Sequence, residues 1–181
     1  MDPISTLIAI VVAVGIPVLA VVFYLDGLVI GKVLQPPVLF VAYVTVAAPR
    51  RLTLLVAGLV CIGAASAGQW TLYRGFDEES EELMGIRRWV PYLESVPDRV
   101  QRKIGEHRMG RLNQQFDRYG GWAVCATNGI PGIRGLMTVP AGLSAYPVRR
   151  FLLASAVGNA LYVLVLFAAA WGALGIGTYL L

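Results

Sequence analysis

Arg134 is the residue whose surroundings most need a chemical explanation. It stands in an otherwise apolar stretch, within Asn128-Gly129-Ile130-Pro131-Gly132-Ile133-Arg134. A guanidinium at the centre of a bilayer costs at least about 2.5–3.5 kcal/mol, so it must face protein, water or an anion. Its fork of donors suits a phosphate bidentately. A turn broken by Gly and Pro adds free backbone N–H groups and a helix N-terminus, both favourable to anions. Arg134, Asn128, Gly129, Pro131 and Gly132 therefore form a candidate anion cradle. The competing readings of Arg134 are snorkelling to an interface and pairing with Asp26.

Other polar residues lie at or inside apolar runs. Arg50-Arg51 and Arg149-Arg150 each precede such a run and suit either interfacial anchoring or an anion. Asp26 and Lys32 lie six residues apart and bracket a bend they could bridge. Gln69 and Asn159 are amides in apolar helices, where they bridge helices or line a polar route. Enzyme signatures are missing: there is no Gly-x-Ser-x-Gly elbow, His-Glu-x-x-His pair or phosphate loop. The single histidine, His107, falls in the polar stretch and reads as exposed, leaving no base for a nucleophile inside a membrane. Cys61 and Cys125 lie in apolar stretches and read as buried small hydrophobes, without disulfide or metal spacing. No catalytic residue, metal site or cofactor is expected.

The elements that must position these groups follow from composition. Apolar residues make up 57% of the 181 and charged residues only 14%, against roughly 45–50% and 25% in soluble domains. No Asp, Glu, Lys, Arg or His occurs from Pro3 to Leu25, from Leu52 to Leu72, or from Phe151 to Leu181. A spanning helix needs about 20 apolar residues, so helices are expected over 4–25, 52–73 and 151–173. The first run lacks a basic start and is too long for a signal core, so it reads as a retained helix.

Two further apolar segments are broken. Residues 27–48 carry Lys32 and Pro36-Pro37, and residues 119–147 carry Arg134 among Gly129, Pro131, Gly132, Gly135, Pro140 and Gly142. Proline removes a backbone donor and clashes with the preceding turn, so neither segment should cross as one straight helix. Arms of roughly ten residues, about 15 Å, reach the middle of a core about 30 Å thick. Two re-entrant hairpins lining a cavity are expected, because broken backbone at that depth must be satisfied by protein or water.

Residues 74–118 are the polar stretch, with nine basic and nine acidic side chains. Asp77 to Glu82 reads as the solvated start of a helix. Ser95-Val96-Pro97-Asp98 has the form of a capping box, and Val96, Val100, Ile104, Leu112 and Phe116 make one apolar stripe beyond it. The basic residues place this segment, and with it the N-terminus, on the cytoplasmic side; the same count leaves Arg50-Arg51 outside. The net charge of +4 is mixed with acids and spread over loops, which does not read as nucleic-acid binding.

A weak internal repeat is visible. Ala65-Ser66-Ala67-Gly68-Gln69 with Leu72-Tyr73 resembles Ala154-Ser155-Ala156-Val157-Gly158-Asn159 with Leu161-Tyr162. Each copy follows a broken segment and an arginine pair. Inverted repeats with broken helices are how many transporters build a site near the midplane.

From Phe116 to Gly175 the sequence resembles the DedA family, whose domain is shared with eukaryotic lipid scramblases of the VTT class. The resemblance rests on Phe116, Arg118-Tyr119-Gly120, Ile130-Pro131-Gly132-Ile133-Arg134, Pro140-Ala141-Gly142, Phe151, Gly158 and Tyr162. Gly68, Tyr73, Arg74 and Gly75 give a weaker match. There are departures: the family's first hairpin arginine falls on Asn128, its following aromatic on Gly129, and the acid expected after Gly68 is Gln69, leaving Asp26 as the acidic candidate.

The resemblance implies an all-α membrane protein with about three spans, two opposed re-entrant hairpins and a cytoplasmic amphipathic segment. It implies transfer of an anionic lipid, polyprenyl phosphate or a phospholipid, between leaflets of the plasma membrane. Arg134 carries over as a head-group ligand, and the loss of an acid at Gln69 puts proton or ion coupling in doubt. The expected site is Arg134, Asn128, Gly129, Pro131, Gly132, Arg149, Arg150, Arg50, Arg51, Gln69 and Asp26. A homo-oligomer is left open. The rival readings are a non-transporting assembly protein, acting through Arg102, Lys103 and Arg108, and a small ion or solute channel.

Overall fold

The computed structural model describes residues 3–29, 34–76, 119–130, 133–135, 137–144 and 146–180, with side chains as far as residue 173. Among these residues the chain is all-helical: α1 (Pro3–Val14), α2 (Ile16–Gly27), α3 (Pro36–Ala47), α4 (Arg51–Phe76), α5 (residues 119–129), α6 (Thr138–Leu143) and α7 (Val148–Leu180). Lys32, Pro131, Gly132 and residues 77–118, with their capping box, apolar stripe and His107, lie outside the described residues.

The two long apolar helices form where expected. α4 has 26 residues, and the apolar part of α7, Val148–Ala173, has 26 as well. At 1.5 Å per residue each is about 39 Å long, enough for a hydrocarbon core of about 30 Å. Only 33% and 39% of their most apolar windows are buried. A core helix of a soluble protein would be mostly covered. Leu52, Leu55, Leu59, Leu153 and Leu164 stand exposed instead, as side chains facing lipid would.

The run 4–25 is not one helix. Gly15 takes φ 76°, a left-handed conformation that glycine adopts without steric cost, and separates α1 from α2. Ile16 and Pro17 then open α2, with proline in the first turn, where its missing N–H is not needed. Each half is about 18 Å long, short of a full crossing. Two helices of spanning length are therefore present among the described residues, where the sequence suggested three.

The first broken segment also differs from expectation. Pro36-Pro37 do not sit at the tip of a hairpin; they are the first two residues of α3. A helix tolerates proline at its start for the reason given for Pro17. The arm before the break is α2 itself, which ends in a turn at Leu28-Val29. In the second segment α5 and α6 flank residues 130–137, of which 133–135 form a turn, and Pro140 lies in the first turn of α6.

The chain forms two compact units, residues 1–68 with 159–181 and residues 69–158. The first packs α1, α2 and α3 on one another. Its core contains Val11, Leu19, Phe23, Leu39, Phe40, Ala57, Cys61, Ala65, Tyr162 and Leu166. Phe40 meets Phe23 edge-on at 6.0 Å and Phe167 at 5.1 Å, geometries that add to the burial energy. The second unit has a smaller apolar core, Tyr73, Val124, Ala141 and Phe151. Tyr73 stacks on Phe151 at 4.8 Å and donates its hydroxyl to the Tyr146 carbonyl at 2.5 Å.

Both copies of the sequence repeat perform the same packing task. A Cβ on Gly68 would fall on the Tyr24 carbonyl oxygen and 3.0 Å from Gly27 Cα, at the end of α2. A Cβ on Gly158 would lie 2.5 Å from the Cys125 carbonyl oxygen and 2.7 Å from Asn128 Cβ, near the end of α5. In each unit a glycine of a long helix thus lets the arm before the break approach to backbone contact.

Candidate functional site in the second hairpin

The second unit concentrates polar groups where the apolar sequence would not predict them. Gln69, Asn128, Arg134, Thr138 and Ser155 are all buried there. Burying such groups costs free energy unless partners meet them, so each hydrogen bond matters.

Asn128 is the hub. Its Oδ1 accepts from Gln69 Nε2 at 2.9 Å and from the Gly135 backbone N–H at 3.1 Å. Its Nδ2 donates to Gln69 Oε1 at 3.4 Å and to Ser155 Oγ at 3.3 Å. A primary amide has two donors and two acceptor sites, and all four are used here. Asn128 therefore ties the end of α5 to α4 through Gln69, to α7 through Ser155, and to the turn through Gly135.

That last bond fixes the backbone just beyond Arg134. Gly135 takes φ 75°, which only glycine adopts freely, so the turn bends sharply at this point. Arg134 is 4% exposed and has partners within the protein. Its position in a buried turn excludes snorkelling into open solvent. Thr138, which begins α6, returns its backbone N–H to the Gly135 carbonyl at 3.1 Å. Arg134 and Thr138 thus flank a single turn.

The remaining expected residues divide plainly. Gly129 ends α5 and is half-buried; Pro131 and Gly132 are outside the described residues. Arg149 and Arg150 lie exposed in the first turn of α7; Arg50 and Arg51 lie exposed at the start of α4. None of the four joins the buried cluster. Asp26 is buried at the end of α2 in the first unit and has partners. Asn159, also in that unit, donates to Ser66 Oγ at 2.9 Å. A groove of about 350 Å³ runs along α5 and α7, lined by Gly121, Trp122, Cys125, Leu153, Ala154 and Val157.

Two residues of this cluster carried no weight in the sequence. Ser155 looks like one more small residue in an Ala-rich helix. Thr138 is a single hydroxyl between Leu136-Met137 and Val139-Pro140. A hydroxyl interrupting an apolar run near a buried arginine was the available signal.

Among the described residues two helices are long and apolar enough to cross a membrane, and a buried polar turn lies between α5 and α6. The family model of the VTT domain matches residues 36–171, so the chain belongs to the VTT-domain family, the DedA family, a family of transporter-like membrane proteins. Comparison with curated proteins and with solved structures finds no match.

Proposed function

We propose that the protein is a lipid transporter that passes an anionic lipid, polyprenyl phosphate in the first place, between leaflets of the plasma membrane. The observation that carries this reading is Arg134, a guanidinium 4% exposed in the turn between α5 and α6. A permanent cation at such a position is expensive, and a mobile anion is a ligand that would make it useful. On this reading the two broken segments enter and leave the membrane by the same face, the first from one side and the second from the other. The N-terminus lies in the cytoplasm.

Arg134 binds the head-group phosphate in this account. Asn128 and Gln69 hold the turn that presents it, because their hydrogen-bonding capacity goes to one another, Ser155 and Gly135. The arginine pairs act at the interface. Both sit in the first turn of a helix, where the macrodipole disfavours a cation; anionic head groups in the surrounding leaflet offset this. The apolar tail follows lipid-facing surfaces such as the groove along α5 and α7.

Flipping of labelled polyprenyl phosphate, and of labelled phospholipid as the close variant, can be followed in proteoliposomes. Arg134→Ala should lower the rate at least about tenfold, since a hydrogen bond to a charged group contributes roughly 1.5–3 kcal/mol. Equal rates for the variant and the parent protein would remove the assignment.

A further inference from the structure

Thr138 is the unexplained group in the second unit. Its side chain is 1% exposed and its Oγ1 has no hydrogen-bond partner among the described residues. Threonines elsewhere in the chain satisfy the same hydroxyl locally. Thr45 Oγ1 donates to the Val41 carbonyl at 2.9 Å, and Thr127 Oγ1 to the Ala123 carbonyl at 2.8 Å. Both are bonds back to residue i−4. The equivalent acceptor for Thr138 would be the carbonyl of Arg134, and that bond is not made.

A buried hydroxyl without a partner is a standing cost, and valine would fill the same volume without it. Packing alone therefore argues against threonine here. A ligand oxygen arriving at the turn would supply the acceptor that the protein withholds. The chain thus carries a cation just before Gly135 and an unpartnered neutral donor at the start of α6 just after it.

We infer that the Thr138 hydroxyl is a second ligand for the phosphate group, donating to an oxygen that Arg134 does not engage; this rests on the head-group reading of Arg134. A phosphate offers several acceptor oxygens, so a guanidinium and a hydroxyl flanking one turn can share it. The ligand chemistry is a phosphate monoester, carried by a lipid or free in solution. A neutral alcohol head group, with one oxygen and no charge, would gain little from the pair.

Binding of polyprenyl phosphate to the full chain in zwitterionic nanodiscs tests this, with polyprenol as the uncharged control and inorganic phosphate as competitor. Thr138→Val should weaken phosphate-lipid binding about tenfold, leave polyprenol binding unchanged, and keep or raise the melting temperature. Thr138→Ser should bind as the parent protein does. Displacement of the lipid by inorganic phosphate would show that the site reads phosphate alone, and resistance would show that it reads the lipid; the hydroxyl's role stands in both cases. Unchanged phosphate-lipid binding in Thr138→Val, while Arg134→Gln abolishes it, overturns the inference and spares the head-group reading. Unchanged binding in Arg134→Gln overturns both. Should Thr138→Val fail to fold, Thr138→Ala against Thr138→Ser decides: equal affinity of these two sinks the inference.

Discussion

The two compact units share one plan and spend it differently. Each has a helix that runs into a break, a helix after the break, and a glycine of a long helix seated on the first helix. The first unit's core is apolar, with Leu19, Phe23, Phe40, Ala65 and Tyr162. Among the described residues its buried polar side chains are Asp26, at the end of α2, and Asn159, which donates to Ser66. The second unit buries Gln69, Asn128, Ser155, Arg134 and Thr138. Apolar packing tolerates small adjustments, whereas a buried polar network must be satisfied at every member or it costs more than it contributes. Both units thus build the same glycine seat, and among the described residues the second buries more polar side chains than the first.

The glycine seats give the largest expected effects. Gly68→Ala places a Cβ on the Tyr24 carbonyl oxygen, and Gly158→Ala places one 2.5 Å from the Cys125 carbonyl oxygen. Backbone cannot yield as a flexible side chain can, so each should cost roughly 3 kcal/mol, the upper end of ordinary overpacking. Thermal unfolding in detergent checks this. Tolerance of alanine at one seat only would break the equivalence of the units.

The amides come next and should separate the units. Asn128→Leu leaves the Gly135 N–H without its acceptor and removes the bonds to Gln69 and Ser155, at about 2–3 kcal/mol in all. Asn159→Leu removes the bond to Ser66 in the first unit and should cost less, about 1–2 kcal/mol. Thermal midpoints give the order. Equal losses would show that the second unit's network is no more demanding than the contact between Asn159 and Ser66. Smaller still is Thr138→Val, for which the melting temperature should stay level or rise.

Legibility in the sequence followed the range of the cause. α4 and the apolar part of α7 were readable because a long uncharged run is a local property. The breaks were readable as breaks, but their positions were not. Pro36-Pro37 signal a break because proline disrupts a helix interior; the same residues fit a first turn, and only packing decides which occurs. Gly15 gave no warning by itself, since Gly58, Gly63 and Gly68 sit inside the unbroken α4. Pro17, two residues later, was the usable sign. Arg134 was legible because a guanidinium in an apolar segment is costly wherever it points. The Gln69–Asn128 pair was not, because 59 residues separate two amides whose meeting depends on how α4 and α5 pack. Asn128 and Gln69 each looked like a departure from the family pattern. Together they form one neutral clasp.

The account turns on Arg134 serving a phosphate in the second unit's hairpin. Native mass spectrometry of the intact chain, titrated with polyprenyl phosphate and with polyprenol, reads that preference directly. The parent protein should retain the phosphate at least about tenfold better than the alcohol, and Arg134→Gln should retain both alike while remaining helical by circular dichroism. An undiminished preference for the phosphate in the folded variant would contradict the account.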